Sequence, residues 1–179
     1  GIKRIHIQMR DPSRRHICWI HCWGQRGIHA DYDKLHGEQT ALYMNTPTAH
    51  LKSSPCPCGS AQHYEDCCGR YLDQGETATT AENLMRSRYT AYTLKSANYL
   101  LATWHPDTRP AALELTGQPA QQWIGLTVKR HEQTATDQAI VEFAARYKIN
   151  GRAYRLHEIS RFAREDGQWF YVDGDILPS

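Results

Sequence analysis

The sequence predicts an α+β fold, with helices packed on one face of a curved four-stranded antiparallel sheet and a small cysteine knuckle in front. Three observations predict it. Apolar residues recur at helical spacing from Leu84 to Tyr99. From Gln121 onward the period falls to two, and Asn150-Gly151 and Asp166-Gly167 interrupt it with pairs that tolerate the positive φ of tight hairpin turns. Four cysteines, Cys56, Cys58, Cys67 and Cys68, lie close together just upstream. Helices that all precede the strands give segregated layers rather than alternating βαβ units.

In chain order, residues 1–43 have no sustained apolar period, hold five of the ten histidines and begin with Gly1. We expect this leader to be non-native or disordered and leave it out of the fold. His16, Cys18, His21 and Cys22 meet a ligand list there by accident of composition. Residues 44–54 form a polar lead-in, 55–70 the knuckle and 71–78 a linker, with an α+β domain over 79–176. Thr79 and Glu82 have capping-box spacing. Met85, Tyr89, Tyr92, Ser96 and Tyr99 then follow at intervals of four, three, four and three, with Leu84, Ala91 and Leu94 widening the stripe. Ser96 is expected to start a second helix and Pro106 to end the pattern. Thr108, Pro110 and Gly117 mark a further short helix. Strands are expected over Trp123–Gln133, Gln138–Ile149, Arg152–Glu165 and Gln168–Asp175.

The cysteine spacing points to zinc. Zn²⁺ takes four soft ligands at tetrahedral corners, each thiolate about 2.3 Å away. A disulfide between the neighbours Cys67 and Cys68 is strained, and Cys56 and Cys58 are nearly too close to pair. Four protein ligands close the site, so it is structural rather than a Lewis acid. The residual formal charge of −2 calls for nearby donors, for which Lys52, His63 and Arg70 are candidates. Ser60, Gln62, His63, Tyr64 and Glu65 are expected to face outward as a surface for a partner. Free or oxidised thiols, and with them thiol redox or sulfur handling, are the alternative.

Cys56-Pro57-Cys58-Gly59-Ser60, then Tyr64 and Cys67-Cys68-Gly69, resembles the SEC-C motif, the zinc module that also ends the translocase motor SecA. Ala81-Glu82-Asn83-Leu84-Met85-Arg86-Ser87-Arg88-Tyr89 and Leu101-Ala102-Thr103-Trp104-His105-Pro106 resemble the bacterial YchJ family. There a SEC-C motif precedes a domain similar to nuclear transport factor 2. The resemblance implies zinc on the four cysteines, a cone-like α+β fold, a protein partner met through the knuckle, and homodimers formed through the sheet.

Counting register from two-residue turns puts Ile149 opposite Arg152 and Glu165 opposite Gln168. One face then carries Val141, Phe143, Ala145, Tyr147, Tyr154, Leu156, Glu158, Ser160, Phe162, Trp169, Tyr171 and Asp173. Ionised carboxylates on an apolar face need a partner or a function. Glu158, Ser160, Tyr171 and Asp173, with Arg88, Trp104 and His105, are therefore the candidate pocket. It is a small-molecule or acid–base site if Glu158 and Asp173 converge with His105, and a structural arrangement if Glu158 pairs with Arg88 and the rest is solvated.

The remaining chemistry is thin. The chain carries 21 Lys+Arg against 19 Asp+Glu, and from Met44 onward fourteen against fifteen. Lys129, Arg130, Arg146, Lys148, Arg152 and Arg155 make a modest patch without interleaved exposed aromatics, so no nucleic-acid partner is expected. There is no glycine-rich phosphate loop, no strand-elbow serine and no nucleophilic cysteine outside the cluster. No apolar run is long enough for a membrane span and no secretory signal is present, which with clustered cysteines leads us to expect a cytoplasmic accessory protein without catalytic residues.

Overall fold

The computed structural model describes residues 51–116 and 120–178. The leader 1–43 with its His16, Cys18, His21 and Cys22, most of the polar lead-in, and Gly117 lie outside the described residues. After the knuckle the chain forms α1 (Gly69–Leu72), α2 (Ala81–Leu94), α3 (Ala97–Ala102), β1 (Gln121–Ala135), β2 (Gln138–Ile149), β3 (Arg152–Glu165) and β4 (Gln168–Ile176). The strands make one antiparallel sheet in the order β1-β2-β3-β4, and α2 packs against β1, β2 and β4.

The cap of α2 falls one residue later than its spacing suggests. Thr80 is extended and its Oγ1 accepts from the Asn83 N–H at 3.1 Å, while Thr79 Oγ1 accepts from the Asn83 side-chain amide at 3.2 Å. Glu82 turns instead to Arg86, one turn ahead (2.8 Å), so the reciprocal box does not form. Lys95, at φ +58°, ends α2 in the left-handed region, and Ser96 stands at the start of the second helix as expected.

No helix forms between Thr108 and Thr116. The backbone just upstream has another task, which is to cover the open edge of β4. Tyr171 N–H donates to Thr103 O (3.0 Å), His105 N–H to Tyr171 O (2.8 Å), and Thr108 Oγ1 to Val172 O (2.7 Å). A helix starting at Thr108 would have to leave that edge, and Pro110 disfavours helical backbone at Arg109.

Both hairpins turn on the expected pairs, with Asn150 and Gly151 at φ +51° and +77° and Asp166 and Gly167 at +47° and +83°. Ile149 pairs with Arg152 and Glu165 with Gln168. The derived face holds across β2 and β3 but fails at the end of β4. Phe162 pairs with Tyr171, yet Arg161 pairs with Asp173, so Val172 is an extra residue in a bulge. One inserted residue moves everything beyond it to the opposite face. Gly174 therefore lies opposite Ser160, and Asp173 projects outward to Arg161 (2.5 Å). Three more bulges, at Ile124, Lys129 and Thr134, interrupt the pairing of β1 with β2.

The core runs without a break from the knuckle into the sheet. Cys56, Cys58, Tyr64 and Cys68 share one buried cluster with Leu84, Met85 and Tyr89 of α2, Val141, Phe143 and Ala145 of β2, Phe162 of β3, and Trp169 and Tyr171 of β4.

Candidate metal centre and buried crevice

Two tight turns build the cysteine cluster. The first is closed by Gly59 N–H to Cys56 O (3.0 Å) and tied across by Cys56 N–H to Gln62 O (2.8 Å). Gly59 sits at φ +74°, where any side chain is strained, and a Cβ there would lie in contact with the Leu126 carbonyl at 3.4 Å. The second turn brings the Cys67 and Gly69 N–H groups onto Tyr64 O (3.1 and 2.7 Å), with Cys68 standing at the head of α1. Tyr64 is the pivot and is fully buried, which corrects the expectation that it faces outward.

The four sulfurs all lie within 4.8 Å of one another. Cys58 Sγ is 3.6 Å from Cys67 Sγ, and Cys67 Sγ is 3.9 Å from Cys68 Sγ. A tetrahedron with arms of about 2.3 Å has edges of about 3.8 Å, so these separations fit a thiolate cage around Zn²⁺. They are far beyond the ~2.05 Å of a disulfide, and all four cysteines are free. The electrostatics favour a cation for the same reason. Hydrogen bonds from Cys56 and Cys68 hold the Cys58 thiol well below its usual range, whereas those to Cys56 and Cys58, with burial, push Cys68 far up. Burial pushes Cys67 up to about 11. The Cys58 thiolate forms readily while Cys67 and Cys68 resist, so ionising these together needs a positive countercharge at the centre.

The groups around the sulfurs differ from those expected. His63 Nδ1 is 2.7 Å from Ser53 O and Lys52 is exposed, while Arg70 shares a cleft wall with Cys67 and Cys68 but pairs with Glu76. The polar groups nearby are Ser60 Oγ, 3.1 Å from Cys67 Sγ, Thr90 Oγ1, 4.0 Å from Cys56 Sγ, and Arg86, whose NH1 donates to the Cys58 carbonyl at 3.3 Å. Arg86 and Thr90 are one turn apart on α2. Their i, i+4 spacing was visible in the sequence, but not that this side of the helix meets the knuckle. A cleft of about 230 Å³ opens beside the cluster, with Cys67, Cys68, Asn83 and Arg86 in its wall.

The candidate pocket is only partly assembled. Arg88, Glu158, Ser160 and Tyr171 line a narrow crevice with Met85, Tyr89, Tyr92, Trp123 and Phe143. Its volume is about 20 Å³, the scale of one or two water molecules. Glu158 is 1% exposed and accepts from Ser160 Oγ at 2.6 Å, with Tyr171 Oη at 3.4 Å. Arg88 is 3% exposed. Its guanidinium lies 5.0 Å from the Trp104 ring centre and 4.6 Å from that of Tyr171, and its NH1 donates to Leu100 O and Thr103 Oγ1, both at 2.8 Å. Trp104 thus backs the crevice without lining it. His105 lies elsewhere, its Nε2 3.0 Å from Glu165 Oε1 at the β3–β4 hairpin. Asp173 is on the far side of the sheet. The proposed convergence of Glu158, Asp173 and His105 does not occur, because the Val172 bulge removes one partner and the β4 edge strap holds another.

Comparison with known proteins agrees with this architecture. Residues 80–174 match the family model for the YchJ middle NTF2-like domain, and residues 53–70 match the SEC-C motif. A UPF0225 protein of Methylibium petroleiphilum is 52% identical over 132 residues, which is 74% of this chain and 96% of that relative. One from Bordetella pertussis is 52% identical over 128 residues, 69% of this chain and 96% of its own length. Among solved structures, a SEC-C motif containing protein from Rhodopseudomonas palustris superposes with a TM-score of 0.63 at 32% identity, covering 70% of this chain and all of that one. Another from Psychrobacter arcticus gives 0.61 at 27% identity, covering 73% and 86%. Both matches fall on the two parts built above, a cysteine knuckle and helices on an antiparallel sheet, and the chain belongs to the YchJ (UPF0225) family.

Proposed function

We propose that this chain is a zinc-binding accessory protein in which Cys56, Cys58, Cys67 and Cys68 hold one zinc ion and the metal-braced knuckle meets a protein partner. The observation that carries the reading is the sulfur geometry, four Sγ atoms within 4.8 Å of one another with the two edges at Cys67, 3.6 and 3.9 Å, near the tetrahedral value. Bound there, zinc supplies a structural cross-link between two turns too short to bury a core of their own. The chain's own residues do the rest. Ser60 and Thr90 place hydroxyls near the sulfurs, Tyr64 O gathers two N–H groups at the second turn, and the exposed Gln62, His63 and Glu65 are left on the outer surface as the partner-facing side. Clustered reduced thiols suit a reducing compartment such as the cytoplasm. Among the described residues no helix is long and apolar enough to cross a membrane.

The test is zinc content per chain, with a thiol count before and after chelation. One zinc, and four thiols that become reactive only when it is removed, supports the proposal. No zinc and four freely reactive thiols would replace it with thiol redox chemistry. The crevice supports a second, weaker reading as a small-ligand site, favoured by the burial of Glu158 and Arg88. Its small volume and the absence of His105 from its wall count against acid–base catalysis there.

A further inference from the structure

Arg86 belongs to α2, not to the knuckle, yet it reaches across 28 residues of sequence to the Cys58 carbonyl. Its other two nitrogens face away from the knuckle: Nε and NH2 both meet Glu82 Oε1, at 2.9 and 2.8 Å. The guanidinium is thereby held at fixed orientation, with NH1 on the cysteine turn and its flank in the cleft wall beside Cys67 and Cys68. Its side chain is 24% exposed, against 46% for that of Arg70, which pairs with Glu76 in a more solvated position.

A four-thiolate zinc site has a net formal charge of −2, and burying it without a nearby countercharge is costly. Among the described cations around the cluster, Arg86 alone combines partial burial, a direct bond to a cysteine's backbone and a place in the cleft wall. We propose that Arg86 is the charge-compensating residue of the metal centre, so that zinc affinity is set partly by the first helix of the sheet domain. This rests on the zinc reading above. It goes beyond it in giving α2 a role in metal binding that the four cysteines alone do not imply. The plain alternative is that Arg86 and Glu82 form an ordinary i, i+4 pair that only steadies the helix.

The experiment uses the full chain and the Arg86→Gln, Arg86→Lys, Glu82→Gln and Arg70→Gln variants. Zinc affinity is read by competition with a chelating dye, and the sulfur environment by the sulfur-to-metal charge-transfer band of the cobalt-loaded protein. Far-UV circular dichroism reports folding. Removing the outer-shell charge should weaken zinc binding about 10- to 100-fold in Arg86→Gln. It should also move the cobalt band to longer wavelength, because less stabilised thiolates give up electron density more easily. Arg86→Lys should recover part of both effects, and Arg70→Gln should stay within about twofold of wild type. Glu82→Gln separates the two explanations because it breaks the ion pair but keeps the charge. Near-wild-type affinity in Glu82→Gln supports compensation. Equal losses in Glu82→Gln and Arg86→Gln, or an unshifted cobalt band and unchanged affinity in Arg86→Gln, would overturn it. A wild-type chain that takes up no zinc is a different result, which removes the metal reading itself.

Discussion

Stripping the zinc proposed for the cysteine cluster should weaken the whole folded unit, not just the knuckle. The expectation follows from the continuous core, in which Tyr64, Cys58 and Cys68 are fully buried alongside Leu84 and Met85. Releasing the knuckle exposes Tyr64, an aromatic that buries about 200 Å², and uncovers part of α2. At about 25 cal/mol per Å² of apolar surface, the tyrosine ring with the uncovered part of α2 is worth up to about 5 kcal/mol, an upper figure because the unfolded chain already buries some of its surface. Domains of this size have total stabilities of about 5–15 kcal/mol, so a loss of about 4 kcal/mol is a large share. With about 3–5 °C of melting temperature per kcal/mol, the midpoint should fall by about 10–20 °C. The assay is thermal unfolding followed by far-UV circular dichroism for the sheet and by tryptophan fluorescence, with and without chelator. Cys58→Ser serves as the metal-free reference. Parallel loss of both signals at a lowered temperature supports the shared core. A sheet signal that melts at the same temperature without metal would refute it and make the knuckle an independent appendage.

Gly69→Ala should lower the melting temperature and zinc affinity together, since a Cβ there would sit 2.8 Å from Tyr64 O and 3.0 Å from its ring; calorimetry and dye competition test this, at a cost of about 1–3 kcal/mol. Gly174→Ala would drive a methyl into the buried Glu158 carboxylate, at a similar cost. Adding Glu158→Ala should remove much of the Gly174→Ala penalty, so an additive double-mutant cycle in urea would refute that contact. Thr80→Ala should cost about 1 kcal/mol through the lost α2 cap, and Thr79→Ala less; equal effects in chemical denaturation would contradict the assigned cap.

What could be read in the sequence was whatever a local rule determines. Asn150-Gly151 and Asp166-Gly167 fix hairpins because few pairs accept two positive φ angles, and from them the β2–β3 register follows by counting. The cysteine set was legible because metal ligation demands particular atoms at short range. The missed features depend on contacts distant in sequence. Val172 is an ordinary strand residue, and only the pairing of Arg161 with Asp173 and Asp175 shows that β4 has one residue too many. Tyr64 looked like loop surface because nothing in its neighbourhood of sequence indicates that the chain folds back to set Gly69 of α1 against its ring. The segment after Thr103 carries helix signals in isolation, but the free edge of β4 claims its backbone first.

β1 is the longest strand, fifteen residues, and sits at the margin of the sheet. A strand of that length with a straight rim would be an inviting template for other chains. Its three bulges leave no regular run longer than four residues, the longest being Gly125–Val128 and Arg130–Gln133. An incoming strand would find four residues of matching geometry before the rim bends away, with a charged Lys129 between the two stretches and Arg130 at the start of the second. The irregularities that spoil a simple reading of register along β1 thus also make its rim a poor template for another strand, and straightening them by deleting Ile124 or Lys129 should favour aggregation through that edge.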